Sequence, residues 1–475
     1  MIFNSFQFIW LFPLIFIVYW TVEYFSMNRL RKLPQIVLLL ISYGLYIQWN
    51  PFYGLILLYV TIATYGFAFL LFGFNKNHRY RFGIITLGVF LSLLPLLTFK
   101  YYNFITQAGA SVLANIGIDV APPGLNWVVP LGLSFYTFQA LGYLWDVYYK
   151  KIDIEKSFLD YMLFVSFFPQ ILCGPISKAS DLLPQIKNPA RFDNDRAVKG
   201  LRLILWGLFL KVVLADRIGI YVDTVYSNYE HYSGTTCLLT AILYSFQIYG
   251  DFGGYSYMAV GVAKLLGFNL IYNFNRPYFA SSVTQFWKRW NISLTKWLTS
   301  YIYIPLGGSR KGKFRTYVNI LITFLVSGIW HGANYTFILW GIIHGVAQSI
   351  EKFFNLNTTP RNKIIRFLRI IITFIIVSMA WIYFRMPTIK AGSEVLAKIF
   401  TSIGSIFIDS ENFVFIILGF LILIPVELLL EFRNKQLKKF LHNHSIIRWS
   451  GYLALTVIIL LFGVLDSSQF IYVNF

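Results

Sequence analysis

Charged side chains are scarce in this sequence. Only 13% of its 475 residues are Asp, Glu, Lys or Arg, whereas 57% are hydrophobic and 19% are aromatic. Soluble domains contain about 25% charged residues, so the composition excludes an ordinary soluble domain. Apolar runs such as PQIVLLLISYGLYIQW show no period-two alternation, which favours spanning helices over a barrel. The sequence predicts an all-α, polytopic transmembrane helical bundle of about 11–13 membrane segments, at about 20 residues per crossing.

Cysteine is also scarce, with Cys173 and Cys237 as the two examples. Two cysteines exclude the disulfide framework of a small secreted domain. Cys173 stands in the apolar run FPQILCGP, where a cysteine packs as a small hydrophobic residue more often than it acts as a nucleophile. The sequence therefore supplies no clear residue for a covalent acyl-enzyme intermediate.

The basic residues stand mainly between the apolar stretches, and the formal net charge is +20. The segments NRLRK (28–32), KNHRYR (76–81) and KK (150–151) follow the first, third and fifth apolar stretches. Positive charge at every second loop predicts that these loops face the cytoplasm and that the N-terminus lies outside it. Nucleic acid is not predicted as a partner, because no soluble domain or recognition motif is visible. The lipid bilayer accounts for most of the basic excess.

Acidic residues are absent between Phe252 and Gln348, although this part contains nine basic residues. One interpretation is a cytoplasmic surface that faces anionic lipid headgroups. A second interpretation, compatible with the first, is an entrance that attracts a polyanionic ligand such as a phosphorylated coenzyme. The basic residues are Lys264, Arg276, Lys288, Arg289, Lys296, Arg310, Lys311, Lys313 and Arg315.

Two histidines, His331 and His344, interrupt the apolar stretch SGIWHGANYTFILWGIIHG. Ionisable residues within a membrane are costly and mark functional sites, so both are candidates, as is Asp251 in YGDFGGYSYM. Trp330 precedes His331, and the glycines around it allow close approach of a helix or a ligand. On one continuous helix the two histidines would lie about 220° apart and face nearly opposite sides, unless the helix breaks at Gly332. The absence of i, i+4 ligand spacing and of a nearby carboxylate also disfavours a shared metal site.

A polar cluster precedes the histidines in TQFWKRWNISLTKW and PLGGSRKGK. Lys288 and Arg289 are candidate ligands for an anion, and the amide of Asn291 can both donate and accept hydrogen bonds. The second segment is a basic glycine turn in which Ser309 and Arg310 are candidate phosphate ligands, although it fits no nucleotide-binding pattern. The spacing of the tryptophans predicts an interfacial helix that contains Trp287, Trp290 and Trp297.

These segments together resemble the membrane-bound O-acyltransferase family. The resemblance rests on FWKRWNISLTKW, YIYIPLGG, GIWHG and LWGIIHG, with weaker matches such as GLSFYTFQALGYLWDVY, FPQILCGPISKASDLLPQI and the terminal FIYVNF. Their order along the chain is similar to that of the bacterial branch, typified by alginate and peptidoglycan O-acetyltransferases. It implies one domain over residues 1–475, with a catalytic core at about 130–350.

The resemblance further implies a helical bundle that encloses a tunnel or funnel, with His331 of the WHG motif as the catalytic histidine. A second family position maps onto Asn291, where bacterial relatives often carry histidine. A buried neutral imidazole can deprotonate a hydroxyl, and the amide can orient the acceptor or stabilise an oxyanion. Lys288, Arg289, Trp290, Ser309, Arg310, Trp330 and Asp251 are then candidate binding residues, and His344 is a supporting or binding residue.

By the same resemblance, the function is membrane O-acetylation of an exported cell-surface polysaccharide. The donor is acetyl-CoA, used as a substrate and not as a permanently bound cofactor, and the location is the bacterial inner membrane. Transfer is either direct or through an extracytoplasmic partner acetyltransferase. The alternatives are D-alanyl transfer to teichoic acid from a carrier protein, and a transporter or lipid flippase whose histidines relay protons.

Overall fold

The structure is a computed structural model that describes residues 3, 5–26, 32–74, 78–122, 124–432, 443–464 and 471. Over these ranges the chain is helical and contains no strand, which confirms the predicted all-α class. The helices are α1 Phe6–Ser26, α2 Leu33–Ile47, α3 Pro51–Gly73, α4 His78–Leu96, α5 Tyr102–Ala114, α6 Leu133–Tyr148, α7 Phe158–Ser166, α8 Phe168–Ile171, α9 Ala179–Lys187 and α10 Asn194–Leu208. They continue with α11 Asp216–Ser227, α12 Gly234–Leu265, α13 Val283–Trp287, α14 Ile292–Leu298, α15 Lys313–His331, α16 Tyr335–Phe353, α17 Lys363–Arg385, α18 Ile389–Thr401, α19 Ser410–Glu431 and α20 Ser445–Phe462.

Six described helical segments are long and apolar enough to cross a membrane, which agrees with a polytopic membrane protein. The longest of them joins α4 and α5 through a π-helical segment, Leu97–Tyr101. α12, by contrast, is almost wholly enclosed by other helices, so its polar residues are shielded from lipid. The six segments are Gln7–Ser26, Pro51–Gly73, His78–Ala114, Lys363–Arg385, Ser410–Glu431 and Ser445–Phe462. The total of 11–13 membrane segments stays a prediction.

The described parts of the three basic segments lie on one face of the bundle. Lys32 forms an ion pair at 3.2 Å with Asp160, a residue that follows the Lys150–Lys151 pair in the chain. Arg81 donates to the carbonyl oxygen of Tyr148, immediately before that pair. Residues 28–31 and 76–77 of the predicted basic segments lie outside the described residues. The contacts agree with the predicted alternation of loops, and we call this side the basic face.

The segment predicted to be broken is indeed divided into the short helices α7, α8 and α9. Residues 167–177 between and around them are almost all buried. Protein groups satisfy the interrupted backbone; Ser42 accepts from the Phe168 N–H, and Ser293 accepts from the Ile176 N–H. A broken helix is therefore compatible with this depth, because protein encloses it.

Helices α15 and α16 form a tight hairpin. Gly328 packs against the backbone of α16, where a Cβ atom would lie 2.3 Å from the Phe337 carbonyl oxygen. Gly341 makes the reciprocal contact, with a Cβ position 2.4 Å from the carbonyl oxygen of Phe324. Backbone atoms cannot yield as a flexible side chain does, so glycine is required at this crossing.

Replacement of Gly328 with alanine should therefore force α15 and α16 apart. Overpacking of this kind costs about 1–3 kcal/mol, and we expect a lower midpoint of thermal unfolding in detergent. Gly83→Ala is the matched control, because a Cβ atom at that helical position meets no atom within 4 Å. Equal midpoints for the two variants would contradict the assigned crossing.

Candidate functional site

His331 is the last residue of α15, and the helix ends there because Gly332 is extended, with φ −174° and ψ 159°. α16 begins three residues later and runs back along α15. The angle of about 220° between His331 and His344 assumed a continuous helix, which the break removes. Both imidazoles contact the ring of Trp340, with centroid separations of 5.1 Å and 4.9 Å. The two histidines thus lie on neighbouring helices, on either side of one tryptophan.

Aromatic rings surround His331, which is 2% exposed. Besides Trp340, the rings of Trp330 and Phe384 lie 4.8 Å and 5.1 Å from its centroid. Such walls keep bulk water away from the imidazole and strengthen electrostatic interactions at it.

A small pocket, whose empty volume of about 420 Å³ includes open solvent, reaches His331 from one side. The segment before α15 lies at the basic face, where Lys151 packs over the Tyr301 ring at 5.5 Å. From Lys313 at its start, α15 therefore carries His331 about 27 Å from that face, at 1.5 Å per residue. Because it lies at this far end, we call it the outer cavity. Its lining consists of Lys100, residues 129–135, Leu172, Trp330 and His331.

A second cavity, with about 930 Å³ of empty volume, opens near the basic face, and we call it the inner cavity. Lys288 and Lys352 line it, and Lys352 donates to the Ser309 hydroxyl of the predicted basic glycine turn. On α15 the lining extends to Ser327, one helical turn before His331. The remaining lining residues are Thr284, Trp287, Thr295, Leu298, Thr299, Tyr303, Ile320, Thr323, Phe324, Gln348 and Asn357.

The Ser327 side chain is 1% exposed, and its hydroxyl has no hydrogen-bond partner among the described residues. Buried polar groups are normally satisfied, so an orphaned hydroxyl at the wall of a cavity is a candidate ligand contact. The inner and outer cavities therefore approach the same turn of α15 from opposite directions. One ends at Ser327 and the other at His331.

Asn291 immediately precedes α14 and has a left-handed backbone, with φ 40°. Asparagine tolerates this region better than most residues. The side chain is 1% exposed, yet neither of its amide atoms hydrogen-bonds to a described residue. An amide left unsatisfied in the core is costly, which marks Asn291 as a functional candidate.

An aromatic cluster connects Asn291 with His331. Trp290, the neighbour of Asn291, packs on Trp381 at 5.1 Å between ring centroids. Trp381 contacts Phe384 at 5.0 Å, and Phe384 contacts the His331 ring. The two predicted catalytic residues thus adjoin one cluster, although their mutual role stays a prediction.

The interfacial helix predicted from the tryptophan spacing is wrong. The segment forms two short helices, α13 and α14, and Trp287, Trp290 and Trp297 are all buried. Their indole rings pack inside the protein because the turn at Asn291 redirects the chain between them. The tryptophans recur because they pack in the protein core, and not because they face a lipid interface.

His344 is fully buried and accepts a hydrogen bond at Nδ1 from the Trp287 indole N–H at 3.2 Å. It lines neither cavity, and it holds Trp287, which forms part of the inner cavity wall. These contacts place His344 behind the wall of the inner cavity, and its role, supporting or binding, stays a prediction.

Several other predicted binding residues lie apart from His331. Arg289 makes a two-pronged ion pair with Glu431, with N–O distances of 3.0 Å and 3.1 Å. Trp290 is enclosed in the aromatic core, whereas Trp330 lines the outer cavity. Arg310 is exposed on the glycine turn beyond Ser309. Their roles in binding stay predictions.

Asp251 belongs to a buried cluster of charges on α12, the π-helical segment Phe209–Ala215 and the first residue of α11. Lys211 lies 2.7 Å from both Asp251 and Asp216, and all three side chains are at most 3% exposed. Asp251 also accepts from the backbone N–H of Ile471. The two described partners of Asp251, Lys211 and Ile471, line neither the inner nor the outer cavity.

Sequence reasoning missed two lysines. Lys100 lines the outer cavity and Lys352 lines the inner one. Lys100 stands in the apolar run LLTFKYYNF, and this intramembrane charge was the signal that could have revealed it. Lys352 follows the last apolar turn of α16, where a lysine is ordinary, so no comparable signal exists.

The fold and the site describe a polytopic membrane protein with a buried histidine between two cavities. The family model for MBOAT, the membrane-bound O-acyltransferase family, matches residues 45–389. The chain belongs to the membrane-bound O-acyltransferase family and is an O-acyltransferase.

Three curated relatives illustrate the range of similarity. The protein named probable alginate O-acetylase AlgI of Pseudomonas aeruginosa is 34% identical, covering 84% of this chain and 75% of its own. The peptidoglycan O-acetyltransferase of Helicobacter pylori is 33% identical, covering 83% and 79%. The teichoic acid D-alanyltransferase of Bacillus subtilis is 25% identical, covering 60% and 74%.

Proposed function

We propose that this enzyme transfers an acetyl group from cytosolic acetyl-CoA to a hydroxyl of an exported cell-surface polysaccharide at the bacterial inner membrane. The names of the alginate O-acetylase and the peptidoglycan O-acetyltransferase described above, each more than 30% identical, support the acetyl group and the polymer. The observation that carries the proposal is the approach of two cavities to adjacent positions of α15, Ser327 and His331. Donor and acceptor can then meet without either crossing the whole membrane.

The inner cavity suits the donor. Lys288 and Lys352 provide positive charge where phosphates would lie, and the deeper wall contains Trp287, Leu298 and Phe324. The pantetheine arm of acetyl-CoA combines methyl and methylene groups with two amides and a hydroxyl, and the lining also offers the hydroxyls of Thr295, Thr299 and Thr323. Ser327 at the end of the cavity supplies a hydroxyl for its carbonyl group. The basic side of the protein is the cytosolic side under the positive-inside rule.

His331 acts as general base in this proposal. Its imidazole takes the proton of the acceptor hydroxyl as that oxygen bonds to the acyl carbon. The carbon–sulfur bond then breaks, and the proton passes from the imidazolium to the leaving thiolate. Asn291 offers an amide N–H to the developing oxyanion or orients the acceptor. The outer cavity admits the hydroxyl of the acceptor directly. Alternatively, the acetyl group passes there to a hydroxyl of an extracytoplasmic partner transferase, which carries it onward.

Purified enzyme with labelled acetyl-CoA and an oligosaccharide acceptor tests the function. We expect label in the oligosaccharide and release of one thiol per transferred group. D-alanyl transfer from a charged carrier protein, without use of acetyl-CoA, would contradict the proposal and favour the relative with that activity. Substrate counterflow in liposomes without acyl transfer would favour a transporter.

Neutralising the two lysines of the inner cavity should weaken donor binding. For Lys288→Ala with Lys352→Ala, we expect the KM for acetyl-CoA to rise about tenfold while kcat changes little, because each cation contacts phosphate in ground and transition states alike. Added salt should raise the wild-type KM in the same direction. Lys390→Ala, at a lysine whose side chain is 87% exposed, is the control. An unchanged KM in the double variant would place the donor elsewhere.

A further inference from the structure

Lys100 is a charged residue within a candidate membrane span, His78–Ala114. It lies in the π-helical segment Leu97–Tyr101 that joins α4 to α5. Single π-helical turns inside α-helices occur frequently at functional sites, and an intramembrane lysine is costly. The proposed mechanism gives Lys100 no role.

Part of its role is structural. The Lys100 ammonium donates to the Trp330 carbonyl oxygen at 2.7 Å, and the adjacent Tyr101 hydroxyl donates to the Ile329 carbonyl oxygen at the same distance. Both carbonyls belong to the last turn of α15, where the helix itself supplies no partner. Lys100 and Tyr101 thus hold the end of the helix that carries His331.

This anchoring does not account for the whole ammonium group. Lysine has three N–H donors, and among the described residues Trp330 O is the one hydrogen-bond acceptor shown for it. The nitrogen also lies 5.9 Å from the Trp330 ring centroid, on the wall of the outer cavity. Two donors are therefore available for a group in that cavity.

The electrostatics of the outer cavity point the same way. Lys100 is the sole Lys, Arg, Asp or Glu among the described residues that line it. A positive charge in a poorly hydrated cavity without a carboxylate is unfavourable until an anionic group enters. Ser134 and His331 are the neighbouring polar side chains of the lining.

We propose that Lys100 is the anion-binding residue of the outer cavity and holds an anionic oxygen beside His331. Two sources share this chemistry: the oxyanion that forms on the acyl carbonyl during transfer, and a carboxylate of the acceptor sugar. The inference rests on the proposed function for the role of His331. The position of the ammonium in the cavity does not depend on that function.

The test compares Lys100→Met, Lys100→Arg and Tyr101→Phe. Lys100→Met keeps the length of the side chain and removes its charge, whereas Tyr101→Phe removes the neighbouring anchor to α15 and leaves the charge intact. Each variant is assayed with an oligouronate acceptor and with its neutral methyl ester, after its thermal midpoint has been measured in detergent. Binding of the oligouronate is measured separately without acetyl-CoA.

Removal of one oxyanion donor costs about 10²–10³ in kcat. If Lys100 binds the oxyanion, Lys100→Met should lower kcat by about 100-fold for both acceptors. If it binds a carboxylate, the KM of the oligouronate should rise about tenfold while that of the ester stays constant. In both cases Lys100→Arg should recover most of the loss, and Tyr101→Phe, which loosens the same end of α15, should lower activity about tenfold less than Lys100→Met does.

Equal losses in Lys100→Met and Tyr101→Phe, with no recovery in Lys100→Arg, would overturn the proposal and leave Lys100 as a helix anchor. If the wild type transfers acetyl neither to these acceptors nor to the oligosaccharide of the functional assay, the proposed function fails, and oligouronate binding decides alone. Weaker binding in Lys100→Met than in Tyr101→Phe would then support the anion site. Equal binding, or none by the wild type, would refute it.

Discussion

Alanine in place of His331 is expected to lower the rate of acetyl transfer by about 10²–10⁴-fold, the range attributed to a general base. The structure gives the reason, because His331 lines the outer cavity while the inner cavity ends one helical turn away. The effect should fall on kcat, since the proposed role of the imidazole is to move a proton in the transition state and not to bind the donor.

The fold should survive this change, because His331 is the last residue of α15 and its side chain lies at the wall of the outer cavity. Labelled acetyl transfer, measured on protein that elutes as the wild type does in size-exclusion chromatography, checks the prediction. His231→Ala serves as the control, since His231 is exposed in the Tyr229–His231 turn. Activity of His331→Ala within threefold of the wild type would exclude His331 as the base.

Methionine in place of Lys211 is expected to cost about 3–5 kcal/mol of stability, as is typical when one partner of a buried ion pair is removed. Lys211 lies 2.7 Å from Asp216 and 2.7 Å from Asp251, and its side chain is 1% exposed. Without the ammonium, two carboxylates would remain close together in the core. The cluster also holds Ile471 beside α12, because Asp251 accepts from the N–H of Ile471.

The midpoint of thermal unfolding in detergent, followed by tryptophan fluorescence, measures this loss. Combining Lys211→Met with Asp251→Asn should recover part of it, because residues in one network are not additive. Lys390→Met is the control, at an exposed lysine. The activity of the folded fraction should stay near that of the wild type, since the cluster lines neither cavity. An unchanged midpoint in Lys211→Met would contradict the assigned ion pairs.

Tertiary contacts corrected one inference from a local pattern and decided a second that the sequence left open. The periodic tryptophans predicted an interfacial helix, but the segment breaks at the left-handed Asn291 and its tryptophans are buried in the core. The spacing of His331 and His344 predicted opposite faces only for a helix without a break at Gly332. The helix does break there, and both imidazoles contact Trp340.

The sequence by itself determined the class of this protein. Composition and apolar runs require spanning helices, because no other element satisfies its backbone groups locally in lipid. The alternating basic segments predicted the side on which the loops lie, and the prolines predicted the broken segment. Both act through local chemistry, so the sequence was sufficient to predict them. The motifs around Asn291 and His331 identified the family, although they did not show how the two residues lie.

The tertiary structure alone decided the composition of the site. Lys100 donates to the carbonyl of Trp330, a residue 230 positions away in the chain. Lys211 selects Asp251 from a different helix, and Glu431 pairs with Arg289 across 142 positions. Such pairs form because the packing of the whole bundle brings distant segments together. A local sequence pattern therefore cannot predict them.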